Sequence, residues 1–261
     1  MFVSPRTGLA RLLFACSLIA FGSACVPVGV SGQVGYSFVQ IDGDLALDDG
    51  GGGSEQSVEQ GIESGFGLGD MQGSPYFRGQ LDAGGPVLTG SVFWLQDNGE
   101  GQLQETFGGL PQNTSVAGEL ELAVGKLSLA YDIDFGLVKI APGVMLDAFS
   151  LDFSARELAL GSREEIDEFL FVPLPFVRAE AGLGPVVVVG ELGYLDIDSL
   201  GDTSGRFIDF EASVEWSLAP LAHIFAGYRL IGIDGEGVTD SESFAADLQV
   251  SGWTIGGGIR F

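Results

Sequence analysis

Apolar and polar residues alternate along most of this chain with a period of two, the pattern of strands that turn one face to an apolar medium. The clearest run is 208–218: Ile208, Phe210, Ala212, Val214, Trp216 and Leu218 alternate with Asp209, Glu211, Ser213, Glu215 and Ser217. Nine further segments read as strands, near 31–41, 76–83, 87–96, 116–134, 138–153, 169–181, 186–196, 222–233 and a last run closing at Phe261. In the first, Val34, Tyr36 and Phe38 share a face; in the second, Phe77 and Leu81 oppose Arg78, Gln80 and Asp82. In 116–134 the phase changes. Leu120, Leu122 and Val124 lie on one face, then Leu127, Leu129, Tyr131 and Ile133 on the other. A change of phase beside Gly125 predicts a β-bulge. A turn at Gly125 and Lys126 would do the same, and a misread segment here would make the count eight or twelve. Pro173 and Pro175 have no N–H for a ladder, so the strand over 169–181 is expected to be locally distorted.

The connections fall into two classes. Short turns are expected at Gly84–Pro86, Phe135–Leu137, Gly182–Pro185 and Ala219–Leu221. Longer polar loops are expected over 42–60, 97–113, 156–168 and 234–243, with a shorter one at 201–205. The two classes alternate, so an even number of strands places every short turn at one end.

Composition narrows the fold class. Hydrophobic residues make up 46% of 261 residues and mean hydropathy is +0.32, yet the net charge is −25. After the first 25 residues no apolar run approaches the roughly 18 residues of a spanning helix. High hydropathy spread over every second position is the signature of a transmembrane antiparallel up-and-down β-barrel, all-β, of about ten strands. With 36 acidic and 11 basic residues, the chain has no basic patch to neutralise phosphates, which excludes a nucleic-acid partner.

The last residues carry a resemblance. Thr254, Gly256, Ile259 and Phe261 are similar to the C-terminal insertion signal of bacterial outer-membrane β-barrel proteins. That resemblance implies a location in the bacterial outer membrane, with lipid as surroundings, and barrel-assembly machinery and periplasmic chaperones as partners during biogenesis. It also implies that the short turns are periplasmic and the long loops external. Residues 1–24 read as an export leader: Arg6 and Arg11, an apolar stretch from Leu12 to Phe21, then Gly22, Ser23 and Ala24 before the cut. Losing the two arginines would bring the net charge to about −27. The remainder, 25–261, reads as one barrel domain. Cys25 follows the cut, and Ser23 and Ala24 also resemble a lipobox, from which Gly22 departs; simple cleavage and lipidation of Cys25 both stay open. Cys16 falls in the leader, so the mature chain has no partner for a disulfide.

An open sheet edge is not viable in lipid, so the last strand must pair with the first. Trp94, Tyr131, Tyr194, Trp216 and Trp253 are candidates for interfacial girdles. The inward face would carry Arg78, Asp82, Lys126, Asp132, Lys139, Asp147, Arg178, Glu180, Glu191, Asp209, Glu211, Glu215, Arg229 and Arg260. Mixed charges in a narrow barrel either pair across the lumen and plug it or line a cation-preferring pore. The expected function is therefore passive: a small channel, or a structural surface barrel with a charged, partly plugged lumen. The alternative is an adhesion or ligand-binding barrel that uses acidic outer loops. A barrel enzyme is the least expected class, because His223 is the single histidine and lies beside a short turn. No cofactor is expected. Asp42, Asp44, Asp48 and Asp49 are oxygen-rich but lack the spacing of a calcium loop.

Overall fold

The computed structural model describes residues 28–48, 59–200, 203–239 and 242–261. The expected leader, Cys25 and the glycine run at 50–53 lie outside the described residues. The elements in chain order are β1 (Gly29–Asp48), β2 (Gln60–Gly61), α1 (Ile62–Phe66), β3 (Gln72–Asp82), β4 (Pro86–Gln102), β5 (Ser115–Tyr131), β6 (Ile133–Asp134), β7 (Val138–Glu157), β8 (Arg163–Leu183), β9 (Val186–Leu200), β10 (Thr203–Ala219), β11 (Ala222–Thr239) and β12 (Glu242–Arg260). Ten of these are long strands, each antiparallel to its neighbours. β12 returns to β1 along an unbroken ladder from Ser31↔Arg260 to Asp48↔Ser243, which closes the barrel. β2 lies on β1 opposite Asp44 and Leu45, beyond the end of the β1–β3 ladder, and β6 folds back on β7.

The short turns form where expected. Gly84, Gly136 and Gly184 have φ of +74°, +90° and +69°, values that favour glycine. The long loops do not form as expected. β7 runs to Glu157 and β8 starts at Arg163, so the loop expected over 156–168 shrinks to 158–162. The loop expected over 234–243 is largely strand, and the one expected over 97–113 begins only after Gln102. Polar residues in these segments stay in the ladder because pairing is a backbone property and their outward faces meet water.

The bulge expected at Gly125 is absent. Gly125 pairs with Val92 on one side and Ala148 on the other, and both registers run through it without a shift. The reversal has another cause. Val116, Leu120, Leu122, Val124, Lys126 and Ser128 all face inward and are buried. Glu119, Glu121, Leu127, Leu129 and Tyr131 all face outward. The strand keeps its phase while its surroundings exchange polarity halfway along. β7 repeats the exchange: Val144 and Leu146 face out in its lower half, and Asp152 faces out above them, while Asp147 lies inside below Phe149 and Phe153.

The molecule therefore has two storeys. Towards the short turns, the outer surface is an apolar belt that includes Val34, Leu127, Leu129, Val144, Val214 and Ile255. Towards the long-loop end the outer surface is polar, with Gln96, Glu119, Glu121, Asp152, Asp167 and Gln249 exposed, and the interior is apolar. The expected girdle residues Trp94, Tyr131, Tyr194, Trp216 and Trp253 are all exposed on the outside. A tilted strand crosses a bilayer in about 9–11 residues, whereas β8 has 21. The surplus forms a head that stands clear of the belt. Leu127→Arg, midway along β5 between the levels of Trp94 and Tyr131, is expected to cost about 2–4 kcal/mol, the penalty for a cation deep in hydrocarbon. Gln96→Arg, on the same outward face but in the head, is expected to stay within about 0.5 kcal/mol. Urea unfolding in lipid vesicles measures both; equal losses would refute the two-storey arrangement.

Candidate functional site in the barrel lumen

The lumen is filled by two layers of different chemistry. The lower layer is ionic. Lys126 on β5 donates to Glu211 at 2.7 Å and Glu191 at 3.0 Å, and lies 3.9 Å from Asp209. Arg78 on β3 bridges the same two glutamates, donating to Glu211 Oε1 at 2.9 Å and to both Glu191 oxygens. Tyr76 donates its hydroxyl to Glu211 Oε1 at 2.7 Å. Arg229 on β11 pairs with Asp209 at 2.6 Å and stacks over Phe93, 5.0 Å from the ring centre. Asp147 on β7 faces Asp209. Six strands thus contribute charges to one cluster, and Lys126 has no exposed side-chain surface.

Below this cluster, Arg178 holds Gln80 at 2.8 Å and Glu180 at 2.7 Å. Across the closure seam, Glu215 accepts from Gln33 at 2.7 Å and from Arg260 at 2.6 Å. His223 Nε2 lies 3.1 Å from the Gln33 amide nitrogen. Thr254 turns into the lumen and shares a 2.7 Å hydrogen bond with Ser37, whereas Ile259 and Phe261 lie exposed on the outside. Gly256 packs against the β1 backbone at Val34 and Gly35, where a Cβ would collide.

Three of the expected lumen charges stand at the short-turn rim instead. Asp82 accepts from the Gly84 N–H at 2.8 Å, and Asp132 pairs with Lys139 at 3.5 Å. Sequence reasoning missed Tyr76, although it shares the inward parity of Arg78, and it missed the amides Gln33 and Gln80. Among the described residues no three His, Cys, Asp or Glu side chains are placed to hold a metal ion, and the described Asp42 accepts from Gln40 at 2.8 Å.

The upper layer is apolar and reaches into the head. Phe93, Leu95, Leu120, Leu122, Phe149 and Ile231 form its lower part. α1 drops into the top. Phe66 meets Phe107 and Phe153 edge to face, with centroids 5.1 and 4.8 Å apart. The helix ends at Gly67, whose φ of +69° and contact with the β4 backbone leave no room for a side chain. Gln60 Oε1 accepts from the N–H groups of Gln104 and Glu105 at 2.7 and 3.0 Å, so the loop after β4 folds inward and buries Leu103, Phe107 and Leu110. That loop was expected to be polar; the three apolar side chains spaced through it were the available signal.

Between the layers lie two cavities of about 10 Å³ each, both lined by Tyr76, Arg229 and Thr254. A cavity of that size holds about one water molecule. Arg229 Nε and Nη1 have no protein partner there.

No protein-family model matches the chain, and no curated protein matches it. Solved structures do. The outer membrane protease OmpT from Escherichia coli superposes with a TM-score of 0.58 at 8% identity, covering 92% of this chain and 98% of that one. The fold is that of an outer-membrane β-barrel. Looser likenesses within this outer-membrane barrel fold include Ail, the attachment invasion locus protein of Yersinia pestis (12% identity, 90% and 99% covered, TM-score 0.37). Neisserial surface protein A is similar at 13% identity, with 89% and 97% covered and a TM-score of 0.37. At these identities the likeness speaks for the fold alone.

On the outside of the head, Glu121, Asp152 and Asp167 stand directly opposite one another on β5, β7 and β8. Partial burial and the facing Asp167 carboxylate raise the Asp152 pKa above its ordinary value. The folded chain therefore binds that proton more tightly than the unfolded chain, and stability rises as pH falls through the raised value. Asp152→Asn is expected to raise the melting temperature at neutral pH and to lose that advantage in acid below the carboxylate range; an unchanged neutral-pH melting point would refute the opposition. In the lumen, Lys126→Met leaves Glu191, Glu211 and Asp209 short of a cation and is expected to cost about 3–5 kcal/mol. Adding Glu211→Gln is expected to recover part of that loss, as read by denaturant unfolding.

Proposed function

We propose that this chain is an outer-membrane protein whose barrel is a sealed scaffold that anchors a core-filled head above the outer leaflet. The observation that carries this is the stacking of two complete fillings in one lumen. A solute entering from the short-turn side meets a cluster of charges paired across five strands, with Asp147 of a sixth beside it, and beyond it an apolar layer that excludes ions. A cation-preferring pore needs a continuous wet path lined by free carboxylates. Here Glu191, Glu211 and Glu215 are held by Arg78, Lys126 and Arg260.

The apolar belt supports placement in a bilayer, with the lipid of the outer membrane as its surroundings. The exposed Ile259 and Phe261 beside the β1–β12 ladder support a role for the terminal motif in recognition by assembly machinery, since the lumen does not use them. An enzymatic reading finds less support: His223 is buried at the short-turn end, beside Gln33, Glu215 and Arg260.

Planar-bilayer recording tests the sealed scaffold. The purified full-length chain is expected to insert, as shown by heat-modifiable gel migration, and to carry no steady current. Stepwise single-channel conductance from inserted protein would overturn the reading.

A further inference from the structure

The barrel wall is not laddered evenly. β8 pairs with β7 along nearly its whole length, from Val138↔Ala181 to Arg156↔Arg163. Its ladder to β9 runs only from Leu183↔Val186 to Phe176↔Gly193 and then stops. Above that point β9 continues to Leu200 and still pairs with β10. Two strand edges therefore face each other without a ladder. The cause is in the sequence: pairing ends at Phe176, the residue that follows Pro175, and Pro173 and Pro175 sit two apart, so both missing N–H groups belong to the same edge. The β7 ladder passes through both prolines unbroken, so that edge is the one towards β9.

The lower part of the seam stays closed, with the inward Leu174 and Val172 of β8 buried at 2% and 3%, and only its upper part leaves apolar side chains open. Phe149 on β7 is buried at 5% and Ile231 on β11 at 2%, whereas Ile233, opposite Phe207 on β11, is half-buried. Leu170 faces inward on β8 beside Phe149 yet is 43% exposed. Leu195 on β9 and Phe207 on β10 face inward and are half-buried. Outside the seam, Phe169 and Phe171 stand exposed edge to face, 4.7 Å apart. Tyr194 marks the same level on β9, its hydroxyl bonded to Asp196 at 2.9 Å.

We propose that this seam is a lateral binding slot for an uncharged apolar molecule taken from the outer leaflet. It rests on the reading that the belt lies in a bilayer. The lining is aliphatic and aromatic, so it offers transfer of apolar surface and little else. The rim carries Asp167, Glu168 and Asp196, which repel an anionic head group. The nearby cations Arg163 and Arg206 are taken by Glu165 and Asp234. An extended peptide added to the β8 edge would find no donors at Pro173 and Pro175, so strand addition is disfavoured where the seam begins.

The test is photolabelling of the full-length chain in lipid vesicles with trifluoromethyl-phenyldiazirine, a neutral apolar carbene precursor, mapped by mass spectrometry. Outward Val144 and Leu192 report the bilayer reading; if they are unlabelled, that reading fails and the slot with it. With the belt labelled, Leu170, Leu195 and Phe207 are expected to be labelled well above Phe149, and excess unlabelled tetradecane is expected to suppress them saturably. Inward labelling no higher than Phe149, or labelling that tetradecane does not compete, overturns the slot. Pro173→Val with Pro175→Val restores both donors. In the folded variant, inward labelling is expected to fall to the Phe149 level while Val144 and Leu192 stay labelled; persistence of inward labelling overturns the role given to the seam.

Discussion

A strand that holds its register cannot move a side chain from one face to the other. Every change of surroundings along such a strand must then appear as a change of residue type. This constraint organises the whole barrel. β5 and β7 pass from a belt with apolar residues outside to a head with apolar residues inside, and they do so without a bulge, by exchanging Leu127 and Leu129 for Glu119 and Glu121 on one face and Lys126 for Leu122 on the other. Ladder continuity is what makes the exchange readable, and the β1–β12 ladder extends it around the closed circuit.

The two fillings follow from the two surroundings. Within the belt, the inward face cannot be apolar as well, because a strand apolar on both sides gives no preference for either register. Polar residues there must then satisfy one another, since a buried charge without a partner is far more costly than a pair. Arg78 and Lys126 each touch Glu191 and Glu211, so four side chains form a closed square of charge. In the head water lies outside, and the interior can be an ordinary apolar core with α1 and the loop after β4 as its lid. Phe66, Phe107 and Phe153 are the contact between lid and wall.

The belt was legible in the sequence and the head was not, for one physical reason. Alternation such as Ile208 to Leu218 announces a strand when the outside is apolar, and β10 forms there. When the outside turns polar, segments such as 156–168 and 234–243 carry polar residues at the outward positions and look like loops. Their pairing is a property of backbone and partner, which residue type does not encode. The reversal at Gly125 looks like a bulge in sequence, because a strand that passes between two solvents shows the same change of phase. In the lumen, charged residues were legible from parity alone. Their partners were not, since Arg78 and Glu211 lie far apart in sequence and meet only after closure. Asp82, Asp132 and Lys139 share the parity but stand at the rim, because parity assigns a face and says nothing of depth.

Closure and the seam make opposite demands, since unpaired backbone is not tolerated in lipid. Depth resolves the conflict. The β8–β9 ladder is intact from Val186 to Gly193, alongside the belt residues Val188 and Leu192, and it fails at the level of Tyr194, whose hydroxyl already meets Asp196. Above that level freed N–H and C=O groups have water within reach. The same Pro173 and Pro175 placed a turn lower would break the wall in hydrocarbon; placed where they are, they open it at the boundary between the two storeys. Gly193 fits this account. It closes the intact part, packed under Met145 and Leu174 so tightly that a Cβ would collide, and the wall is dense directly beneath the place where it parts.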